Sequence, residues 1–164
     1  MPKLESFEGI KSKVKCIGCD IQKCKIKTLK VYETKNFIVS QDFQTPIPGF
    51  MIVGSKKHIK GIENFSKKER EELIEVIYKT RVALNKVLGI KYIDLIQEEI
   101  GIERWTHFHI WMFPRYPWTK KFGESIDCII PSMIYAQTKL KTKGNLEKVI
   151  SSYEKIKNYF NKIK

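Results

Sequence analysis

Histidine is scarce in this 164-residue chain, which has three copies, and cysteine and arginine are scarce too, with four each. Long apolar runs are missing altogether. No stretch approaches the roughly 20 apolar residues that a helix needs to cross a bilayer, so the chain is not expected to span a membrane. The opening Met1-Pro2-Lys3-Leu4-Glu5-Ser6 lacks the apolar core of a secretion signal, which makes a cytoplasmic location the default expectation. Internal repeats and low-complexity tracts are also absent, which argues against a solenoid. Four cysteines in a reducing compartment point to thiols or metal ligation rather than disulfides. With 42% hydrophobic and 12% aromatic residues the chain has the composition of a folded protein, and its length suits one domain with its own core.

What is abundant is positive charge. The net charge of +13 points to an anionic partner, either a phosphorylated small molecule or nucleic acid. Most of it is lysine scattered along the chain and dense at both ends, and a lysine-rich surface serving solubility explains most of those residues. The arginines are Arg70, Arg81, Arg104 and Arg115. The guanidinium fork suits phosphate oxygens, so a placement of Arg104 and Arg115 on either side of two histidines carries more weight than the lysine count.

Alternation predicts short strands over Lys30–Glu33, Phe37–Asp42, Phe50–Val53 and Tyr92–Gln97. Thr34-Lys35-Asn36 is the turn of a hairpin, and Thr45-Pro46-Ile47-Pro48-Gly49 is a loop. Ser66-Lys67-Lys68-Glu69 is a capping box. It opens a long helix that should stop near Gly89, with Leu73, Val76, Ile77, Thr80, Leu84, Val87 and Leu88 on its core face. After Pro131 the chain turns helical, with a break expected at Lys143-Gly144-Asn145. A last helix runs from Leu146 to about Lys162 and carries Val149, Ile150, Tyr153, Ile156, Tyr159 and Phe160 as an apolar stripe. The expected class is α+β: about five antiparallel strands, one long helix and a helical C-terminal tail.

The chemistry concentrates in Thr106-His107-Phe108-His109-Ile110-Trp111-Met112-Phe113-Pro114-Arg115. Alternation makes this a fifth strand, with His107, His109 and Trp111 directed to one face. Two imidazoles on one apolar face are costly unless something uses them. Near the start lies Cys16-Ile17-Gly18-Cys19, the spacing of a zinc knuckle. By itself the spacing also fits a redox pair or chance, and Cys24 competes as a third ligand.

Together these residues resemble the histidine-triad (HIT) nucleotide-binding superfamily, whose signature is His-φ-His-φ-His-φ-φ with φ apolar, often followed by Pro-Arg. Here it reads His107-Phe108-His109-Ile110-Trp111-Met112-Phe113-Pro114-Arg115. The upstream elements agree in order: Val31-Tyr32-Glu33, a strand ending at Asp42, a Pro/Gly loop, and a strand closing with Lys56-Lys57-His58. The resemblance implies a single HIT-like domain over residues 1–164, with a core at about 14–118 and a helical extension at about 119–164. It also implies a structural zinc held by Cys16, Cys19, His58 and His107, with Cys24 and Cys128 not ligands, and a homodimer.

In related enzymes the central His attacks the α-phosphate of a nucleotide. The resemblance therefore implies a nucleotide phosphohydrolase or nucleotidyl transferase that works through His109 on a purine nucleotide ester or a dinucleotide such as a diadenosine polyphosphate. Asp42 corresponds to the family carboxylate that accepts ribose hydroxyls; as a residue alone it also fits a strand-end turn. The chain departs from the pattern at Trp111, which stands where the third His would be and cannot carry a proton as a general acid. Phe50 replaces another frequent His, and the polar run before the motif becomes Ile102-Glu103-Arg104-Trp105. Arg104 could supply the missing phosphate contacts, with a surface pair to Glu103 equally open, and Gln97 could act for a family Asn. These departures support the alternative of a catalytically weak nucleotide- or nucleic-acid-binding module, with nucleic acid the less favoured ligand.

Overall fold

A computed structural model describes residues 15–103 and 106–163. Five strands, β1 (Leu29–Glu33), β2 (Phe37–Gln41), β3 (Met51–Ser55), β4 (Ile93–Gln97) and β5 (His109–Pro114), form one antiparallel sheet in the order β1-β2-β3-β5-β4. Around it lie α1 (Ile17–Gln22), α2 (Lys67–Leu88), α3 (Ile129–Lys139) and α4 (Lys143–Lys162). This is the expected α+β arrangement.

Alternation divides the sheet between two cores. Val31, Phe37, Val39, Met51, Val53, Ile110 and Met112 face α2 and α4. Phe50 and Phe113 face the other way, onto Ile129 and Ala136 of α3, with Ile52, Ile96 and Trp111 packed beside them. On the first face Leu73, Val76, Thr80, Ala83 and Leu84 of α2 are buried, while Ile77, Val87 and Leu88 are half-buried. Helix α4 lies along β1 and α2, and its Phe160 stacks on Tyr32 at 4.5 Å.

Local chemistry sets the boundaries. The Ser66 side chain accepts from Glu69 N while the Glu69 carboxylate accepts from Ser66 N, the reciprocal pair of a capping box, and Gly89 closes α2 at φ 68°. Glu72 of α2 accepts from Thr34 Oγ1, Asn36 N and Asn36 Nδ2, which clamps the β1–β2 hairpin turn onto the helix.

Several expected boundaries move, most by a residue or two. Strand β3 starts at Met51, since Phe50 N is taken by Ile47 O inside the loop, and it runs on to Ser55 opposite Phe37. Strand β5 starts at His109, with Phe108 N donating to Ile59 O just before it. The break in the tail falls at 140–142 rather than 143–145: Thr142 caps Asn145 N, so Lys143 and Gly144 already belong to α4.

Candidate functional site

The sheet face away from α2 carries His109 and Trp111 on β5 beside Gly54 and Ile52 on β3. Helix α1 covers one end of this face and α3 the other. Between them is a partly open slot of about 130 Å³, whose lining includes Asp42, His107, His109, Trp111, Ile21 of α1 and Met133 of α3. Small-molecule pockets usually hold ~300–1,000 Å³, so the slot is smaller than such a pocket. A wider cleft of about 1000 Å³ beside β4 shares none of these residues. Its arginines are committed elsewhere: Arg81 donates to Ile90 O and Lys91 O, and Arg115 pairs with Asp94.

His109 is half-buried and, among the described residues, held by one hydrogen bond. Its Nδ1 donates to the His107 carbonyl at 2.7 Å, which puts the proton on Nδ1 and leaves the Nε2 lone pair free. That is the tautomer a nucleophilic imidazole needs. Trp111 sits with its ring centroid 6.2 Å from that of His109 and meets Phe50 edge-on. Asp42 is buried at the end of β2. Burial pushes its carboxyl above the ordinary value, opposed by hydrogen bonds that Oδ1 accepts from Thr45 N and Gln44 N. The C-terminal segment braces this loop, with Gln137 Nε2 donating to Thr45 Oγ1 at 2.9 Å and Asn145 Nδ2 to Pro46 O at 2.7 Å.

Cys16, Cys19, His58 and His107 converge at the N-terminal end of the same site, with their ligand atoms within 4.8 Å of one another. The Sγ to Nδ1 separations are 3.3 Å for Cys16–His58, Cys16–His107 and Cys19–His58, and 3.7 Å for Cys19–His107. A tetrahedral zinc with ordinary Zn–S and Zn–N bonds places such atoms about 3.6 Å apart. His107 Nε2 donates to Ser55 O at 2.8 Å, which orients the ring and leaves Nδ1 as the ligand atom. Burial lowers the His107 pKa, keeping the imidazole in the neutral form that ligates. Burial and the neighbouring Cys16 push the Cys19 thiol up to about 11, a protonated thiol that a divalent cation would convert to a thiolate. The donor set therefore fits zinc. Gly18 lets α1 lie this close: a Cβ there would stand 2.3 Å from the His107 ring. Cys24 is exposed and Cys128 is buried against Arg115 at 3.1 Å, so neither belongs to the cluster.

One sequence-predicted contact, Gln97, is not brought to the site. Gln97 pairs with Ile110 in the β4–β5 register, so it faces away from His109, and its amide donates to Glu99. Arg115 is a structural residue: its fork binds the Asp94 carboxylate, and Nη1 reaches Glu124 O. Arg104 lies outside the described residues. The sequence reading in turn missed α1 and Met133 as walls of the slot. The apolar spacing of Ile17 and Ile21 is a signal that could have found the first.

The HIT domain family model matches residues 23–118, a range that contains the sheet and His109 but begins after Cys19 and ends before α3. The chain is 26% identical over 112 residues to the galactose-1-phosphate uridylyltransferase of Thermotoga maritima, covering 60% of this chain and 33% of that enzyme, about a third of its length. It is 25% identical over 114 residues to an uncharacterized HIT-like protein of Mycoplasma genitalium, covering 68% of this chain and 81% of that one. Among solved structures, a zinc-bound histidine triad family protein from Mycobacterium smegmatis superposes with a TM-score of 0.62 at 14% identity, covering 89% of this chain and 96% of that one. A HIT family protein from Bacillus subtilis gives 0.60 at 20% identity, covering 87% and 96%. At these identities the structural likeness shows the fold.

Proposed function

The chain belongs to the HIT domain family, and on that premise we propose that it is a nucleotide phosphohydrolase or nucleotidyl transferase working through a covalent nucleotidyl group on His109. The observation that carries this reading is the His109 ring itself, with Nδ1 tied to the His107 carbonyl and Nε2 free at the slot. Family membership and the uridylyltransferase relative support nucleotide chemistry in general.

In the proposed reaction the Nε2 lone pair attacks the α-phosphorus of a purine nucleotide ester or a dinucleoside polyphosphate. The bond from phosphorus to the leaving oxygen breaks, and the leaving group departs with that electron pair. Water or another acceptor hydroxyl then attacks phosphorus, the P–N bond breaks, and the imidazole is restored as the acceptor's proton goes to solvent. Asp42 is assigned to the ribose hydroxyls. Cys16, Cys19, His58 and His107 would hold a zinc ion whose closed shell leaves no position for substrate, so the metal supplies architecture by fixing α1 against β5. A homodimer in the cytoplasm completes the proposal.

Trp111 favours a second reading, a nucleotide-binding module with slow turnover, because indole donates a hydrogen bond but no proton to a leaving group. Intact-protein mass spectrometry after incubation with adenylated substrates separates the two. The enzyme reading expects an acid-labile nucleotidyl adduct, or product, that is absent from His109→Ala. Nucleotide binding with neither adduct nor turnover in the wild-type protein would leave the binding module.

A further inference from the structure

We propose that Gly54 determines which ligands reach His109, because its missing side chain is the space in which the base of the nucleotide lies. The inference rests on the functional reading above and says where the substrate sits.

A glycine inside a strand weakens the strand, so it calls for a reason. Backbone conformation is not the reason, since Gly54 lies outside the group of glycines with positive φ. A bulge is not the reason either: the register runs unbroken from Ile38 across Gly54 to His109. Crowding is excluded as well. A Cβ on Gly54 would meet no atom within 4 Å, in contrast to Gly18, whose Cβ would strike His107. What remains is the open volume itself.

That volume is part of the slot. Gly54 shares its face with Ile52, so its absent side chain would project beside His109. Ile17 and Ile21 of α1 and Ile38 of β2 line the same slot. Among the described residues no lysine or arginine lines it. An apolar slot without cations suits a flat, uncharged ring rather than a phosphate. With phosphorus at His109 Nε2 and the ribose assigned to Asp42, the base is then the part of the nucleotide that lies over Gly54.

Gly54→Ala and Gly54→Val test this, because the role predicts opposite effects on stability and binding. Both variants should melt at or above the wild-type temperature, valine higher, since each is a better strand former than glycine. Affinity for AMP, read by calorimetry, should fall in the order glycine, alanine, valine, by at least about tenfold for valine, while ribose 5-phosphate, which has no base, binds as before. Unchanged AMP affinity in Gly54→Val would overturn the proposal. So would an equal loss for ribose 5-phosphate, which would place the phosphate in the slot, or a lower melting temperature, which would make the glycine a packing requirement. If the wild-type protein binds neither ligand, the functional reading itself fails and the inference falls with it.

Discussion

His107 and His109 are two residues apart, and their ring nitrogens give them different tasks. His107 spends Nε2 on the Ser55 carbonyl and turns Nδ1 to the cysteines, whereas His109 spends Nδ1 on the His107 carbonyl and keeps Nε2 for the slot. If the first is a zinc ligand, Cys19→Ser should drop zinc well below one ion per chain, while Cys24→Ser, an exposed thiol outside the cluster, should retain it. Loss of a structural metal belongs with the largest single-site effects, ~4 kcal/mol or more. At ~2–4 °C per kcal/mol for chains of this size, the Cys19→Ser melting temperature should fall by roughly 10 °C. Metal analysis and a thermal melt on both variants check this, and zinc retained in Cys19→Ser would count against the ligand set. The two histidines of the fifth strand were legible from their spacing, whereas the cluster of Cys16, Cys19, His58 and His107 was legible only through the resemblance to the HIT superfamily, since the cysteine spacing alone left Cys24 open. Arg115 drew weight in the sequence as a fork suited to phosphate, but such a fork fits a carboxylate equally well, and Asp94, opposite Phe113 in the β4–β5 register, lies diagonally across from it.

The elements were legible where a hydrophobic period runs long enough to count. Helix α2 shows this, with its cap, its core stripe and its stop at Gly89 all visible in the chain. Helix α1 was not visible, being six residues long and anchored by the Cys16 side chain, which accepts from Cys19 N. Gln97 was misassigned for a related reason: side chains alternate every residue along a strand, so facing depends on register, which sequence order does not supply. The capping box carries a prediction of its own. Glu69 is held down from 4.5 to about 2, chiefly by the hydrogen bond from Ser66 N and then by Lys57. A depressed carboxylate contributes stability above its unfolded value and loses it as the folded form protonates. The Glu69 contribution should therefore be complete above about pH 4.5 and disappear as the pH falls toward 2. Glu69→Gln keeps an acceptor for Ser66 N and removes the charge. Urea unfolding across that window should show a flatter acid limb for the variant, and parallel curves would show that Glu69 does not titrate with folding.

At the scale of the whole molecule, the proposed homodimer and the less favoured nucleic-acid partner make opposite demands on salt. Among the described residues the sheet ends in an unpaired edge at β4, where Leu95 is 54% exposed and the preceding Tyr92 is 71% exposed, and α2 turns Ile74 and Tyr78 outward one helical turn apart. Exposed apolar groups beside an open strand edge are what a two-fold pairing of sheets would cover. Two copies carrying +13 each repel one another, and salt screens that repulsion, so a dimer built on apolar burial should hold or tighten as ionic strength rises. Association with nucleic acid releases counterions and weakens steeply over the same range. Light scattering on the wild-type protein and Leu95→Lys, at low and moderate salt, therefore reads both. The expected result is a wild-type dimer at moderate salt and a Leu95→Lys monomer at either. A wild-type monomer at every salt concentration would leave the β4 edge without the partner assigned to it. An added oligonucleotide that still bound at moderate salt would move the excess charge from solubility to recognition.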